Sequence, residues 1–151
     1  MGIQPVIVRD FKFSLTSVSK RKFFSDKQEY LDVVKSEGDV RILMLNGEIL
    51  GAMRRKPFKD EFRTNIHVGG QAFRHEITPK EKKICRAIKK ALITDGLFFV
   101  GIDLIGDKLV EINCVSPGGI PRINRLNSVN LESKVIDFIE RKVKQMKGRL
   151  Y

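Results

Sequence analysis

The chain has 151 residues, enough for one ordinary domain, and 42% of it is apolar and 31% charged, the composition of a soluble globular protein. No apolar run approaches the roughly 18 residues of a membrane span, no apolar stretch with a small-residue cleavage site opens the chain, and Cys85 and Cys114 form neither a disulfide framework nor a zinc motif. A cytoplasmic location is expected. The charge is +11, and it is uneven: residues 41–90 carry 13 basic and 5 acidic groups, so most of the excess lies there. Such an excess raises nucleic-acid binding as a first reading.

Residues 1–27 are the hardest to assign. Val6-Ile7-Val8 suits a short strand, Phe11, Phe13 and Leu15 alternate as a half-buried strand would, and Ser14 to Lys22 reads as a polar, basic loop. Val40 to Leu45 and Ile49 to Met53 are apolar runs flanking Asn46-Gly47. That dipeptide tolerates φ > 0 at both turn positions, so a hairpin is expected. Periodicity then disappears across residues 54–70, from Arg54-Arg55-Lys56 to Gly69-Gly70. A long charged loop inside a compact domain points to function or disorder.

Thr78-Pro79-Lys80-Glu81 predicts a helix start, with Thr78 as N-cap, Pro79 at the first position and Glu81 completing a capping box. Ile84, Ala87, Ile88, Ala91 and Leu92 give its buried stripe, with Cys85 in the packing, and Gly96 ends it. Lys82, Lys83, Arg86, Lys89 and Lys90 fall on its outer faces, a solvated surface. A second helix is expected from about Leu131 to Met146, burying Leu131, Val135, Phe138, Ile139 and Met146. The order of strand, hairpin, loop, helix, hairpin, connection and helix is an α+β pattern, an antiparallel sheet packed by helices.

Leu97 to Asn113 is the most informative segment. Two strands flank a Gly-Asp turn, and the register decides what the acids do. A two-residue turn at Gly106-Asp107 would set Asp103 against Val110 and split the apolar residues between faces. A three-residue loop, Gly106 to Lys108, sets Val100 against Cys114, Ile102 against Ile112 and Leu104 against Val110 on one apolar face. The buried face selects the second register. Asp103 then lies across from Glu111, with Asn113 on the same face and Gly101 leaving room. Two opposed carboxylates repel unless a cation lies between them, and these oxygen donors suit Mg²⁺. An ordinary solvent face with unrelated acids is the plainer alternative.

Gly101-Ile102-Asp103-Leu104-Ile105-Gly106-Asp107, Glu111-Ile112-Asn113 and Ser116-Pro117 together resemble the C-terminal part of ATP-grasp ligases, with bacterial glutathione synthetases the nearest match. The resemblance covers roughly residues 28–140. Gln28, Glu29, Tyr30 and Leu31 resemble the hinge that holds adenine and ribose. Gly38-Asp39-Val40-Arg41 resembles the family's Gly-Asp-x-Arg strand, and Arg55, Arg63, Asn65 and Gly69-Gly70 fall where the family has its mobile loop.

The resemblance implies an ATP-dependent carboxylate–amine ligase of glutathione biosynthesis, working through an acyl phosphate and releasing ADP. It implies ATP and one or two Mg²⁺, or Mn²⁺ in its place, held by Asp103, Glu111 and Asn113. Of the implied catalytic residues, Arg41 and Arg55 would face the transferring phosphoryl group or the tetrahedral intermediate and Arg63 would come in as its loop closes over substrate, while Asn65 would join the nucleotide site. Ser116, Gly118, Gly119 and Arg122 would meet substrate. There the family's Thr-Gly-Ile-Arg is replaced by Gly118-Gly119-Ile120-Pro121-Arg122, so the arginine falls one place later. No glycine-rich phosphate loop occurs in residues 1–27. Residues 28–151 are therefore expected to be the C-terminal half of an ATP-binding domain, inactive without its N-terminal half. A carboxylate and an amine are the expected substrates, no membrane is expected, and a homo-oligomer stays open. The competing readings are a basic nucleic-acid-binding module, ranked well below, and a degenerate ATP-grasp domain with a regulatory role.

Overall fold

The computed structural model describes residues 33–57 and 71–148. The first assignments, at residues 1–27, and the proposed hinge at Gln28 to Leu31 lie outside the described residues, as do Arg63 and Asn65. Short helix α1 (Val33–Glu37) leads into β1 (Asp39–Leu45) and β2 (Glu48–Lys56). Then come β3 (Gln71–Arg74), α2 (Pro79–Thr94), β4 (Phe99–Ile105), β5 (Lys108–Asn113), α3 (Ile120–Asn127) and α4 (Leu131–Lys147). The strands form one antiparallel sheet in the order β3-β2-β1-β4-β5. The architecture is α+β, as expected from the sequence.

Asn46 and Gly47 turn β1 into β2 with φ of 52° and 75°, the two-residue hairpin that Asn-Gly predicts. The strand does not stop at Met53. It runs on through Arg54, Arg55 and Lys56, residues expected in a loop. The charged run stays extended because both its edges are paired: Arg55 lies across from Asp39 on β1 and Ala72 on β3. β3 itself gave no signal, since four residues with only Ala72 half-buried show no alternation to read.

Helix α2 begins as its sequence dictates. Glu81 N–H donates to the Thr78 hydroxyl at 3.3 Å, and Thr78 N–H donates to Glu81 Oε2 at 2.7 Å. His75, given no role from the sequence, lies under this cap with Nε2 at 2.9 Å from Glu81 Oε2. Burial pushes the Glu81 carboxyl up, but His75 and the Thr78 N–H outweigh it and hold it below the usual range. Thr78→Ala should lower stability by about 1 kcal/mol, read from the urea midpoint. The loss should stay nearly constant as pH falls, because the substitution removes the hydroxyl that accepts from the Glu81 N–H and leaves the main-chain N–H of residue 78 donating to the Glu81 carboxylate.

The sheet has apolar packing on both faces. On one, Cys85 and Leu92 of α2 join Val40, Ile42, Met44, Ala52, Val100, Ile102 and Leu104. Burying a Leu or Ile fully is worth about 1.5–3 kcal/mol, so this layer anchors the sheet's centre. Burial, then the Glu81 charge, pushes the Cys85 thiol up to about 11, which leaves it unreactive at neutral pH. On the other face Leu43 and Met53 pack under Ile123 of α3 and Leu131 of α4. Helix α3 occupies the segment expected as a connection, with Pro121 in its first turn. Proline is tolerated in a helix's first turn, where its missing N–H has no intrahelical partner.

Helix α4 buries less than expected. Leu131 is buried and Val135 and Phe138 are half-buried, but Ile139 and Met146 are exposed, together with Ile136 and Val143. The helix meets the body along Leu131, Val135, Phe138 and Lys142. Phe138 packs 5.8 Å from the Phe98 ring, and the Lys142 ammonium lies 4.3 Å from that ring's centre. On α2 the exposed Lys82, Lys83, Arg86 and Lys90 form the solvated surface expected. Among the described residues no helix is long and apolar enough to cross a membrane.

The second hairpin corrects one expectation and keeps its consequence. The turn is two residues, Gly106-Asp107, pairing Ile105 with Lys108 and Leu104 with Leu109. A three-residue loop was expected. The ladder slips between Asp103 and Leu104, so Val110 becomes an extra, buried residue. From there Asp103 faces Glu111, Ile102 faces Ile112 and Gly101 faces Asn113. Glycine suits the tight turn, the apolar face demands Ile102 against Ile112, and one β-bulge satisfies both. The strand ends at Asn113, so Val100 has no Cys114 opposite. Cys114 is exposed rather than lining the core.

Candidate functional site

Strand alternation places Asp39, Arg41, Arg55, Asp103, Glu111 and Asn113 on the sheet face that also carries Leu43 and Met53. Arg41 lies across from Asp103, which lies across from Glu111. Arg41 reaches sideways rather than out to solvent. Its Nε donates to Asp103 Oδ1, and its Nη2 donates to Asp103 Oδ2 at 2.6 Å. Its Nη1 donates to the Gly118 carbonyl at 3.2 Å. The Asn113 amide oxygen accepts from Arg41 Nη2, and its nitrogen donates to Glu111 Oε1, each at 3.0 Å. The room that Gly101 leaves is filled by this arginine: a Cβ there would stand 3.3 Å from Arg41 Cδ and 3.5 Å from Nη1.

Arg55 forms the second fork. Its Nε donates to Asp39 Oδ1 at 2.8 Å, its Nη2 donates to Asp39 Oδ2, and the same Nη2 lies 3.0 Å from Asp103 Oδ2. Asp39 and Asp103 are 5% and 3% exposed, so these are buried ion pairs rather than surface ones.

Among the described residues the cluster sets two guanidiniums against three carboxylates. The imbalance falls on Glu111. Partial burial, and then the charge of Asp103 and its carboxyl, push Glu111 above the usual range, and Arg41 and Arg55 only partly offset them. Burial also pushes the Asp103 carboxyl up, but Arg41 first and then Arg55 outweigh it and hold it low. An uncompensated negative charge beside a rigid row of oxygen donors is what a small hard cation relieves. Among the described residues no group of three His, Cys, Asp or Glu could hold a metal alone. Asp103, Glu111 and the Asn113 amide therefore fit an ion that completes its shell with phosphate or water oxygens. Mg²⁺ has that habit.

The structure brings together five expected residues, Arg41, Arg55, Asp103, Glu111 and Asn113, with Gly118 touching the group through its carbonyl. Gly119 caps α3 at φ 128°, Arg122 is half-buried in that helix's first turn, and Ser116 is exposed. Asp39 was missed as a contributor. Its signal was its spacing, two residues before Arg41 on a strand and hence on the same face.

A family model described as prokaryotic glutathione synthetase, ATP-grasp domain, matches residues 13–128. The chain belongs to this family. As a member of the prokaryotic glutathione synthetase family it is 48% identical over 112 residues to a glutathione synthetase of Thermosynechococcus vestitus, covering 74% of this chain and 35% of that protein. It is also 48% identical over 118 residues to that of Synechococcus elongatus, covering 78% and 36%. The chain thus spans about a third of the length of these relatives. The D-alanine–D-alanine ligase of Bacillus anthracis, solved in complex with ATP, shares the fold at a TM-score of 0.51 and 12% identity, over 82% of this chain and 42% of that one.

Proposed function

We propose that this chain supplies the phosphate- and metal-binding side of an ATP-dependent carboxylate–amine ligase of glutathione synthetase type. One observation carries the reading: in a chain of this family, the buried Arg55, the partly buried Arg41 and the Asp103, Glu111 and Asn113 donors converge on one sheet face. In the proposed reaction a substrate carboxylate attacks the γ-phosphate of ATP, giving an acyl phosphate and ADP. An amine then attacks the acyl carbon, forming the amide and expelling phosphate. Phosphoryl transfer needs positioned positive charge more than covalent help. Arg41 and Arg55 provide planar forks suited to phosphate or carboxylate oxygens, already anchored through Asp103 and Asp39.

Asp103, Glu111 and Asn113 would hold one or two Mg²⁺, or Mn²⁺, which would neutralise charge on the phosphates. Gln28, Glu29, Tyr30, Leu31 and Asn65 would bind the nucleotide. Arg63 would come in as its segment closes over substrate and excludes water from the acyl phosphate. Ser116, Gly118, Gly119 and Arg122 would meet the substrate carboxylate. Residues 28–151 are the C-terminal half of the ATP-binding domain in this reading, with the N-terminal half as obligatory partner and the cytoplasm as its place of work. Calorimetric titration of ATP against wild type and Asp103→Asn, with and without Mg²⁺, tests it. Binding should require Mg²⁺ and Asp103; equal heats in all four titrations would sink the metal assignment.

A further inference from the structure

Asp103 has two demands on it. It is the proposed metal ligand, yet both its oxygens are engaged by guanidiniums, Oδ1 and Oδ2 by Arg41 and Oδ2 also by Arg55. Turning toward a cation weakens its hold on both arginines, while those arginines are needed in place for the phosphates. Arg41 keeps two neutral acceptors, the Gly118 carbonyl and the Asn113 amide oxygen. Arg55 keeps Asp39, a carboxylate gripping it through two parallel hydrogen bonds.

We infer that Asp39 is a positioning residue, holding Arg55 in the site independently of Asp103 so that Asp103 is free to serve the metal. The inference rests on the ligase reading for its purpose and on the ion-pair geometry for its substance. Three features of the fold support it. Asp39 and Arg55 are direct cross-strand partners, so the pair is set by the register of β1 and β2. Gly38, at φ 73°, allows the strand to start there: a Cβ on it would sit 1.9 Å from the Arg55 carbonyl oxygen, which only glycine avoids. Bidentate pairing fixes the plane of the guanidinium as well as its position, which a single contact to Asp103 cannot do.

Loss of the Asp39 charge should send Arg55 wholly to Asp103 and make that carboxylate a poorer ligand. Asp39→Asn should therefore weaken Mn²⁺ binding by about tenfold, the lower end for an outer partner of a metal ligand, measured by electron paramagnetic resonance of free Mn²⁺. Asp39→Asn combined with Arg55→Gln should restore it, because the competing cation is gone; a residue that merely props the fold gives no such rescue. The Arg55 Nε proton, followed by nitrogen-15 NMR, reads the hold directly. Its exchange with solvent should quicken about tenfold or more in Asp39→Asn and stay near wild type in Asp103→Asn. Unchanged Mn²⁺ affinity in Asp39→Asn, or an Arg55 proton freed as much by Asp103→Asn as by Asp39→Asn, overturns the inference. A wild type that binds no Mn²⁺ counts against the ligase reading's metal site instead, and the NMR comparison still decides the role of Asp39.

Discussion

Replacing Asp103 with alanine is expected to destabilise the fold by about 3–5 kcal/mol, the cost of stranding buried charge, seen as a lower urea midpoint at an unchanged slope. Asp103 is the shared counter-ion of Arg41 and Arg55. Without it Arg55 falls back on Asp39, while Arg41 is left with neutral acceptors in a mostly buried setting. Asp103→Asn should cost less, since an amide oxygen still accepts from one arginine. The pH dependence separates charge from shape. The Asp103 carboxyl is held low in the folded protein, with burial opposing and Arg41 and then Arg55 prevailing. Its contribution is then complete above the unfolded value of about 3.9 and is lost as pH falls through the lower folded value. Wild type should therefore lose more stability on acidification than Asp103→Asn does, and parallel acid curves for the two would refute the ion-pair account.

Much of this site was legible because strands alternate strictly. Asp103 faces Glu111 because the apolar face, Ile102 against Ile112, constrains that register, whereas the place of Arg41 across from Asp103 becomes visible only once β1 is paired with β4. The turn was misread for a related reason. Alternation was assumed to run unbroken to the loop, whereas Val110 breaks it and returns the extra residue. A bulge has no residue signature of its own, so the sequence supports either arrangement and only the outcome at Asp103 was determined.

The run Arg54-Arg55-Lys56 was harder for a different reason. Three consecutive cations look like a solvated loop until their partners are known. The partner of Arg55 lies 16 residues away on β1 and is visible only once the strands are paired. The same holds for Asp39, which falls in the Gly38-Asp39-Val40-Arg41 strand resemblance but has no evident role until Arg55 is seen opposite it. The local signals that succeeded, Asn46-Gly47 and the Thr78 capping box, are those whose partners lie within four residues. The +11 charge divides along the same line. Its exposed part on α2 reads correctly as surface, and its buried part reads correctly only with its carboxylates in view.

Glu111→Gln should move stability and ligand binding in opposite directions. Partial burial and the neighbouring Asp103 raise the Glu111 carboxyl above its ordinary value. A raised carboxyl favours the folded state below the unfolded value of about 4.3 and loses that contribution as pH rises through the folded value, so at neutral pH its charge is a net cost. The side chain is partly exposed and solvent screens it, so removing the charge should stabilise by less than about 1 kcal/mol. If Glu111 is a metal ligand, the same substitution should weaken Mg²⁺-dependent ATP binding by at least about tenfold. Residues kept against their own stability are expected at sites that bind a charged ligand. Thermal melts and Mg²⁺-ATP titrations of one sample check both arms. A variant that melts lower than wild type at neutral pH would remove the electrostatic account, and one that binds Mg²⁺-ATP as tightly as wild type would remove Glu111 from the metal site.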